Sequence, residues 1–210
     1  MDDPRSIWNA RYAAQALVSA DDWLERWRPR LPAPDAGPAL DIGCGDGFET
    51  ARLTDWGYAV TATDIAEQAL ARSRQRSPAA THLLADARSM PTLPAAHFAL
   101  ALAHLSLHYF DRTGTAAAFA EIARVLQPGG LLLACVNADD DLNYGAPADG
   151  SAAANWDLVT VDGVRKQFFS EAKLREMLDP TRWSIERLDR RSTLRYGAPK
   201  SVLELAARRR

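Results

Sequence analysis

The residues best suited to chemistry are three aspartates that follow short apolar runs. They are Asp41 in Leu40-Asp41-Ile42, Asp64 after residues 58–63, and Asp86 after residues 81–85. Behind the first comes Gly43-Cys44-Gly45-Asp46-Gly47. A glycine-rich turn between strand and helix lets a ligand approach the backbone closely. The carboxyl end of a strand is also where open α/β sheets bind ligands. The spacing is G-x-G-x-G, with Phe48 where a dinucleotide fingerprint wants its third glycine. Asp41, two residues before the first glycine, would repel a pyrophosphate and suits a ligand carrying an ammonium group. Asp64, 19 residues after Gly45, can accept both hydroxyls of a ribose. Asp86 can accept from an exocyclic amine while a backbone N–H beside it faces a ring nitrogen. Acids at three successive strand ends, with no basic residue among them, describe a nucleoside joined to a cationic group.

The elements that must position these residues follow from periodicity. Short apolar runs at 39–42, 58–63, 81–85, 98–105 and 131–137 read as strands, and 48–56, 65–75 and 115–126 as helices between them. Gly57 caps the first helix at its C-terminus, and Pro128-Gly129-Gly130 is a sharp turn. Strands joined by helices of this length imply a mainly parallel sheet covered on both faces. Residues 1–31 read as helical, with Asp21 or Asp22 as a cap, and residues 32–38 as a turn-rich linker. A helix at 170–178, capped by Ser170, precedes two last strands at 183–189 and 201–206. The expected fold is a single α/β domain over 1–210: doubly wound, mainly parallel, Rossmann-like. It carries an N-terminal helical cap over 1–36. Residues 138–164 break the rhythm and are expected to form a lid, with Asn143, Tyr144 and Trp156 as its substrate contacts.

Composition narrows the function. The chain has 210 residues, 47% hydrophobic and 25% charged, so it is globular. A net charge of −2 argues against a nucleic-acid partner by bulk charge. No run of apolar residues is long enough to span a membrane, and the charged start Met1-Asp2-Asp3-Pro4-Arg5 lacks a signal core, so a cytoplasmic location is expected. Two cysteines, Cys44 and Cys135, are too few for a disulfide framework or a structural zinc, and no metal is expected. Arg208-Arg209-Arg210 reads as a solvated tail, and His82 and His97 as surface or strand-edge residues.

The glycine loop with Asp41, then Asp64, Asp86-Ala87, the run into Leu105-Ser106-Leu107-His108-Tyr109, and Leu126-Gln127-Pro128-Gly129-Gly130 together resemble a class I S-adenosylmethionine-dependent methyltransferase. The resemblance covers roughly residues 7–207. Trp8-Asn9-Ala10-Arg11-Tyr12 and Phe168-Phe169-Ser170-Glu171 are similar to the small-molecule branch with tellurite-resistance-type and thiopurine-type enzymes.

The resemblance implies a seven-stranded sheet with its last strand antiparallel, S-adenosylmethionine as cofactor and a small-molecule acceptor. It implies that Gly43, Cys44 and Gly45 contact the methionine half and Asp41 the ammonium. Asp64 then holds the ribose, Asp86 with Ala87 the adenine, and Ile65 packs on the ring. Trp8, Arg11 and Tyr12 close over the cofactor, and an aromatic ring near the sulfonium is favoured by a cation–π interaction. His104, His108 and Tyr109 cluster at the expected methyl position. His104, His108 and Tyr144 are therefore the catalytic candidates, with His104 also beside the cofactor. The competing readings are a nicotinamide-dependent oxidoreductase on a similar sheet and a cofactor-binding sensor or subunit without turnover.

Overall fold

The computed structural model describes residues 3–14 and 21–210. It opens with helix α1 (Pro4–Ala14) and the short α2 (Trp23–Trp27). Then β1 (Ala39–Ile42), α3 (Phe48–Asp55), β2 (Val60–Asp64), α4 (Glu67–Arg76) and β3 (Thr81–Leu84) alternate. They are followed by β4 (Phe98–His104), α5 (Arg112–Val125) and β5 (Leu126–Asn137). The C-terminal part holds α6 (Ser151–Ala154), β6 (Val159–Val161), β7 (Val164–Lys166), α7 (Glu171–Met177), β8 (Trp183–Arg195) and β9 (Ala198–Arg209).

Seven strands form one sheet in the order β3-β2-β1-β4-β5-β9-β8. The first five pair in parallel, and β9 runs antiparallel to both neighbours. This is the expected doubly wound sheet with its last strand antiparallel. β1 and β4 are central, so both faces are covered and the strands read as continuous apolar runs. One face packs Phe98, Phe119, Ile122 and Leu174 into the larger core. The other packs Trp23, Leu24, Trp27 and Leu53 into a second.

Several local expectations shift. The N-terminal reading as helix holds for α1 and α2, while residues 1–2 and 15–20 lie outside the described residues. The last two strands are much longer than 183–189 and 201–206. They form a hairpin that takes in the arginines read as a tail. Arg208 Nε lies 2.5 Å from Glu186 Oε1, and Arg209 donates to the Leu126 carbonyl. Residues 138–164 are not structureless: they hold α6, a 3-10 turn at Leu142–Tyr144, and most of a two-stranded hairpin. Two three-residue strands are too short for periodicity to reveal. The helix after the hairpin is capped as read, with Ser170 Oγ accepting from the Lys173 N–H.

Candidate functional site

Everything of interest opens on one cavity of about 950 Å³ at the carboxyl ends of β1, β2 and β4. The glycine loop forms its floor. Gly43 has φ +69°, and a side chain there would collide with Ser106, whose Oγ donates to the Ile42 carbonyl at 2.7 Å. Gly45 has φ +53°, and a Cβ would come within 2.6 Å of the Tyr12 hydroxyl. The loop is thus pressed between the β4 exit and α1, and glycine is required on both counts.

Asp41 is fully enclosed at the end of β1 and accepts from Thr50 Oγ1 at 2.6 Å. Burial, with the Glu49 charge adding to it, pushes its carboxyl up to about 7. Asp64 ends β2 and is 7% exposed. Its Oδ2 accepts from the Gly45 N–H at 3.0 Å and its Oδ1 from the Ala66 N–H at 2.8 Å. Burial still holds its carboxyl above the usual range. Asp46 is buried in the cavity wall with neither carboxylate oxygen hydrogen-bonded among the described residues. Arg72 Nε stands 3.7 Å away. Two buried acids and a third lacking hydrogen-bond donors make this end of the cavity a place for positive charge.

Asp86, Ala87 and Ile65 line the same cavity. The absence of a basic residue among the acids does not hold in three dimensions. Arg88 forks onto Asp86, with Nε and Nη2 at 2.9 and 2.6 Å, and holds its carboxyl low despite partial burial. The Arg88 fork occupies oxygens that were expected to face an amine. Cys44, within the loop, is buried and lines the cavity, and burial pushes its thiol well up.

The aromatic residues form a wall. Tyr12 lies 6.0 Å from Trp8, Trp8 meets Tyr109 edge-on at 4.9 Å, and Tyr109 tilts against His108 at 4.2 Å. Arg11 sits over Trp8 at 5.5 Å and donates to the Asp162 carbonyl at the hairpin tip. The N-terminal helix is therefore joined to the β6–β7 hairpin.

The two histidines part company. Leu105, in the left-handed region at φ +54°, turns the chain out of β4 between them. His104 stacks on Trp23 at 4.5 Å, with Nδ1 3.2 Å from Glu49 Oε1 and Nε2 3.4 Å from Asp21 Oδ2. Burial works against its charge, but Glu49 and Cys135 outweigh it and hold the imidazole at about 10. His104 is a paired cation, so the expectation of a base there is corrected. His108 is 2% exposed, and its Nδ1 has no hydrogen-bond partner among the described residues. Burial first, then Lys200, Lys166 and Arg195, push its pKa well below the ordinary value, so it is neutral.

The lid contacts also sort out differently. Tyr144 lines the cavity, but its hydroxyl is spent on the Arg195 carbonyl, and its ring carries Lys200 Nζ at 4.3 Å. Asn143 donates to the Pro199 carbonyl, and Trp156 packs edge-on against Phe169 at 5.8 Å; both lie outside the cavity lining. The hairpin does the lining in their place, through Leu158, Thr160, Val164 and Lys166. Sequence reasoning missed Lys166, Asn137, Arg195 and Lys200, which come from elements whose pairing only the fold reveals. The one signal available was that Lys166 and Lys200 are two of only three lysines in the chain.

Among the described residues, no helix is long and apolar enough to cross a membrane. Residues 40–134 match the family model described as a methyltransferase domain. The malonyl-[acyl-carrier protein] O-methyltransferase of Enterobacter lignolyticus is 36% identical over 113 residues, 54% of this chain and 44% of that relative. The chain thus spans less than half of the relative's length. A methyltransferase structure from Methanosarcina mazei superposes with a TM-score of 0.72 at 19% identity, covering 91% of this chain and 98% of the other. The N-methyltransferase NodS of Bradyrhizobium japonicum, solved with S-adenosyl-L-homocysteine, gives 0.65 at 18% identity over 96% and 98%. The loop, the three strand-end acids and the sheet order thus accompany a methyltransferase domain matched over residues 40–134 and a fold shared with solved methyltransferases.

Proposed function

We propose that the protein transfers a methyl group from S-adenosylmethionine to a small-molecule acceptor by in-line displacement. The observation that carries this is the acidic end of the cavity: enclosed Asp41 and Asp64, and an Asp46 carboxylate without hydrogen-bond partners among the described residues, around a glycine loop that tolerates no side chain. These residues fit the cofactor. Asp41 would meet its ammonium, the Gly43–Gly45 backbone its methionine half, and Asp64 its ribose. Ile65, Ala87 and Asp86 would hold the adenine, with Arg88 already on the Asp86 carboxylate. When bound, the cofactor supplies a methyl already activated by a sulfonium.

The chain itself orients and dehydrates. Trp8, Tyr12 and Tyr109 provide π faces for positive charge, and α1 with the hairpin closes the cavity against water. The contribution expected from such positioning is several kcal/mol. His108 stays neutral and buried, with Nδ1 open to hydrogen-bond the acceptor; Tyr144 acts by holding Lys200 in place. The dehydrogenase reading is not favoured, because Asp41 and Phe48 suit neither a pyrophosphate nor a dinucleotide turn, and the matched family model is a methyltransferase one. Thermal unfolding tests the proposal. S-adenosylmethionine and S-adenosylhomocysteine should each stabilise by about 2.7 kcal/mol at a hundredfold excess over Kd. Stabilisation by NAD alone would overturn it.

A further inference from the structure

The cavity has two electrical ends. Asp41, Asp46, Glu49, Asp64 and Asp86 gather at and just after the ends of β1, β2 and β3, and Asp111 and Asp162 are the other carboxylates of the lining. The part of its lining drawn from α1, the β6–β7 hairpin and the β8–β9 hairpin brings Arg11, Lys166, Arg195 and Lys200 around buried His108 and Asn137. Two of these cations have carboxylates. Lys200 Nζ lies 2.7 Å from Asp141 Oδ2, and Arg195 Nη1 lies 3.8 Å from Asp21 Oδ2. Arg11 contacts a backbone carbonyl, and Lys166 has no ion-pair partner among the described residues.

Two further buried groups have polar atoms to spare. His108 and Asn137 are each 2% exposed and line the cavity. His108 Nδ1 and Asn137 Oδ1 are without hydrogen-bond partners among the described residues. Half-buried like charges repel, and the lysine pKa values are lowered by burial first and then, for Lys166, by Lys200. Desolvated charge without a partner is costly. An anion in this end of the cavity would offset that cost and could accept from the His108 imidazole, while Asn137 Oδ1, an acceptor, is left to take an O–H or N–H of the ligand. Leu158 and Val164 share the wall, which suits an organic anion over a free inorganic one.

We propose that the acceptor is a small organic carboxylate whose charge is anchored by Lys166, with Arg11 and Lys200 beside it. This rests on the methyltransferase reading and adds the substrate class. A cationic cofactor and an anionic acceptor then occupy the two ends of one cavity, each matched in sign.

Binding to the protein saturated with S-adenosylhomocysteine tests the inference without requiring turnover. Benzoate, phenylacetate and succinate are titrated at low ionic strength beside their amides and inorganic phosphate. The acids should bind about tenfold more tightly than the amides, equivalent to ~1.4 kcal/mol. Lys166→Met should abolish that difference, Lys166→Arg should keep most of it, and affinity for S-adenosylhomocysteine should stay within about twofold in both. Lys166→Gln is the second neutral variant if the methionine protein folds poorly. Equal binding of acids and amides, tighter binding of phosphate than of every acid, no acid binding at all, or an acid preference that survives Lys166→Met would each overturn the proposal. Failure of S-adenosylhomocysteine to bind in the first place would overturn the methyltransferase reading instead, so the two failures are distinguishable.

Discussion

Asp41 links cofactor binding to pH. Its carboxyl titrates at about 7 because it is enclosed, with Glu49 adding repulsion and the Thr50 hydroxyl and His104 opposing it. In the ligand-free protein the raised value means that the folded state holds a proton which the unfolded chain has released. Asp41 therefore makes the free protein less stable as pH rises from about 4 towards 7. Binding an ammonium requires the carboxylate, so affinity must run the other way. With one proton to lose, affinity for S-adenosylhomocysteine is within about 10% of its plateau at about pH 8, is ~11-fold weaker at pH 6 and ~100-fold weaker at pH 5. At pH 7 about half a proton should be released per ligand bound. Calorimetry in two buffers of different ionisation enthalpy measures both quantities. Asp41→Asn keeps an acceptor for Thr50 and removes the charge. Its affinity should be flat with pH and, at pH 8, weaker by about 1.5–3 kcal/mol, the usual value of a hydrogen bond to a charged group. A flat wild-type profile, or a slope that persists in Asp41→Asn, would refute the assignment and move the ammonium to Asp46 or Glu49.

Other perturbations separate the parts of the site. Asp64→Ala should weaken S-adenosylhomocysteine by about 1.5–3 kcal/mol in calorimetry, while circular dichroism shows the fold retained. Gly43→Ala forces both a left-handed alanine and a collision with Ser106, so thermal melts should show a loss of about 1–3 kcal/mol together with lost cofactor binding. Trp156→Ala removes packing against Phe169 and the Lys173 ammonium; denaturant titration should show roughly 2–3 kcal/mol of destabilisation, with cofactor affinity unchanged. Wild-type stability in that variant, or a specific loss of cofactor binding, would return Trp156 to the site.

The legible part of this protein lies where one short stretch carries its own physical requirement. The loop from Gly43 to Gly47 needs glycine because all three glycines there have positive φ against close neighbours, and glycine spacing is visible in any sequence. Asp41 and Asp64 stand at or next to the last position of short, buried strands, Ala39–Ile42 and Val60–Asp64, so the acids stand out by contrast with their buried neighbours. The alternation of elements, and with it the class of fold, follows from the same periodicity.

What the tertiary structure decided depends on residues far apart in the chain. The fate of His104 and His108, four positions apart, turned on Leu105, whose left-handed turn leaves one imidazole between Glu49 and Asp21 and the other in the cavity lining, its Nδ1 without a hydrogen-bond partner among the described residues. Arg88 adjoins Asp86 in sequence, yet that it would fork onto the carboxylate depended on a side-chain conformation that spacing does not specify. Lys166 and Lys200 belong to different hairpins, and only strand pairing brings them to one cavity wall. Charge acts through space with a reach set by burial, so the cofactor end could be read from local spacing, while the acceptor end exists only once the sheet has closed.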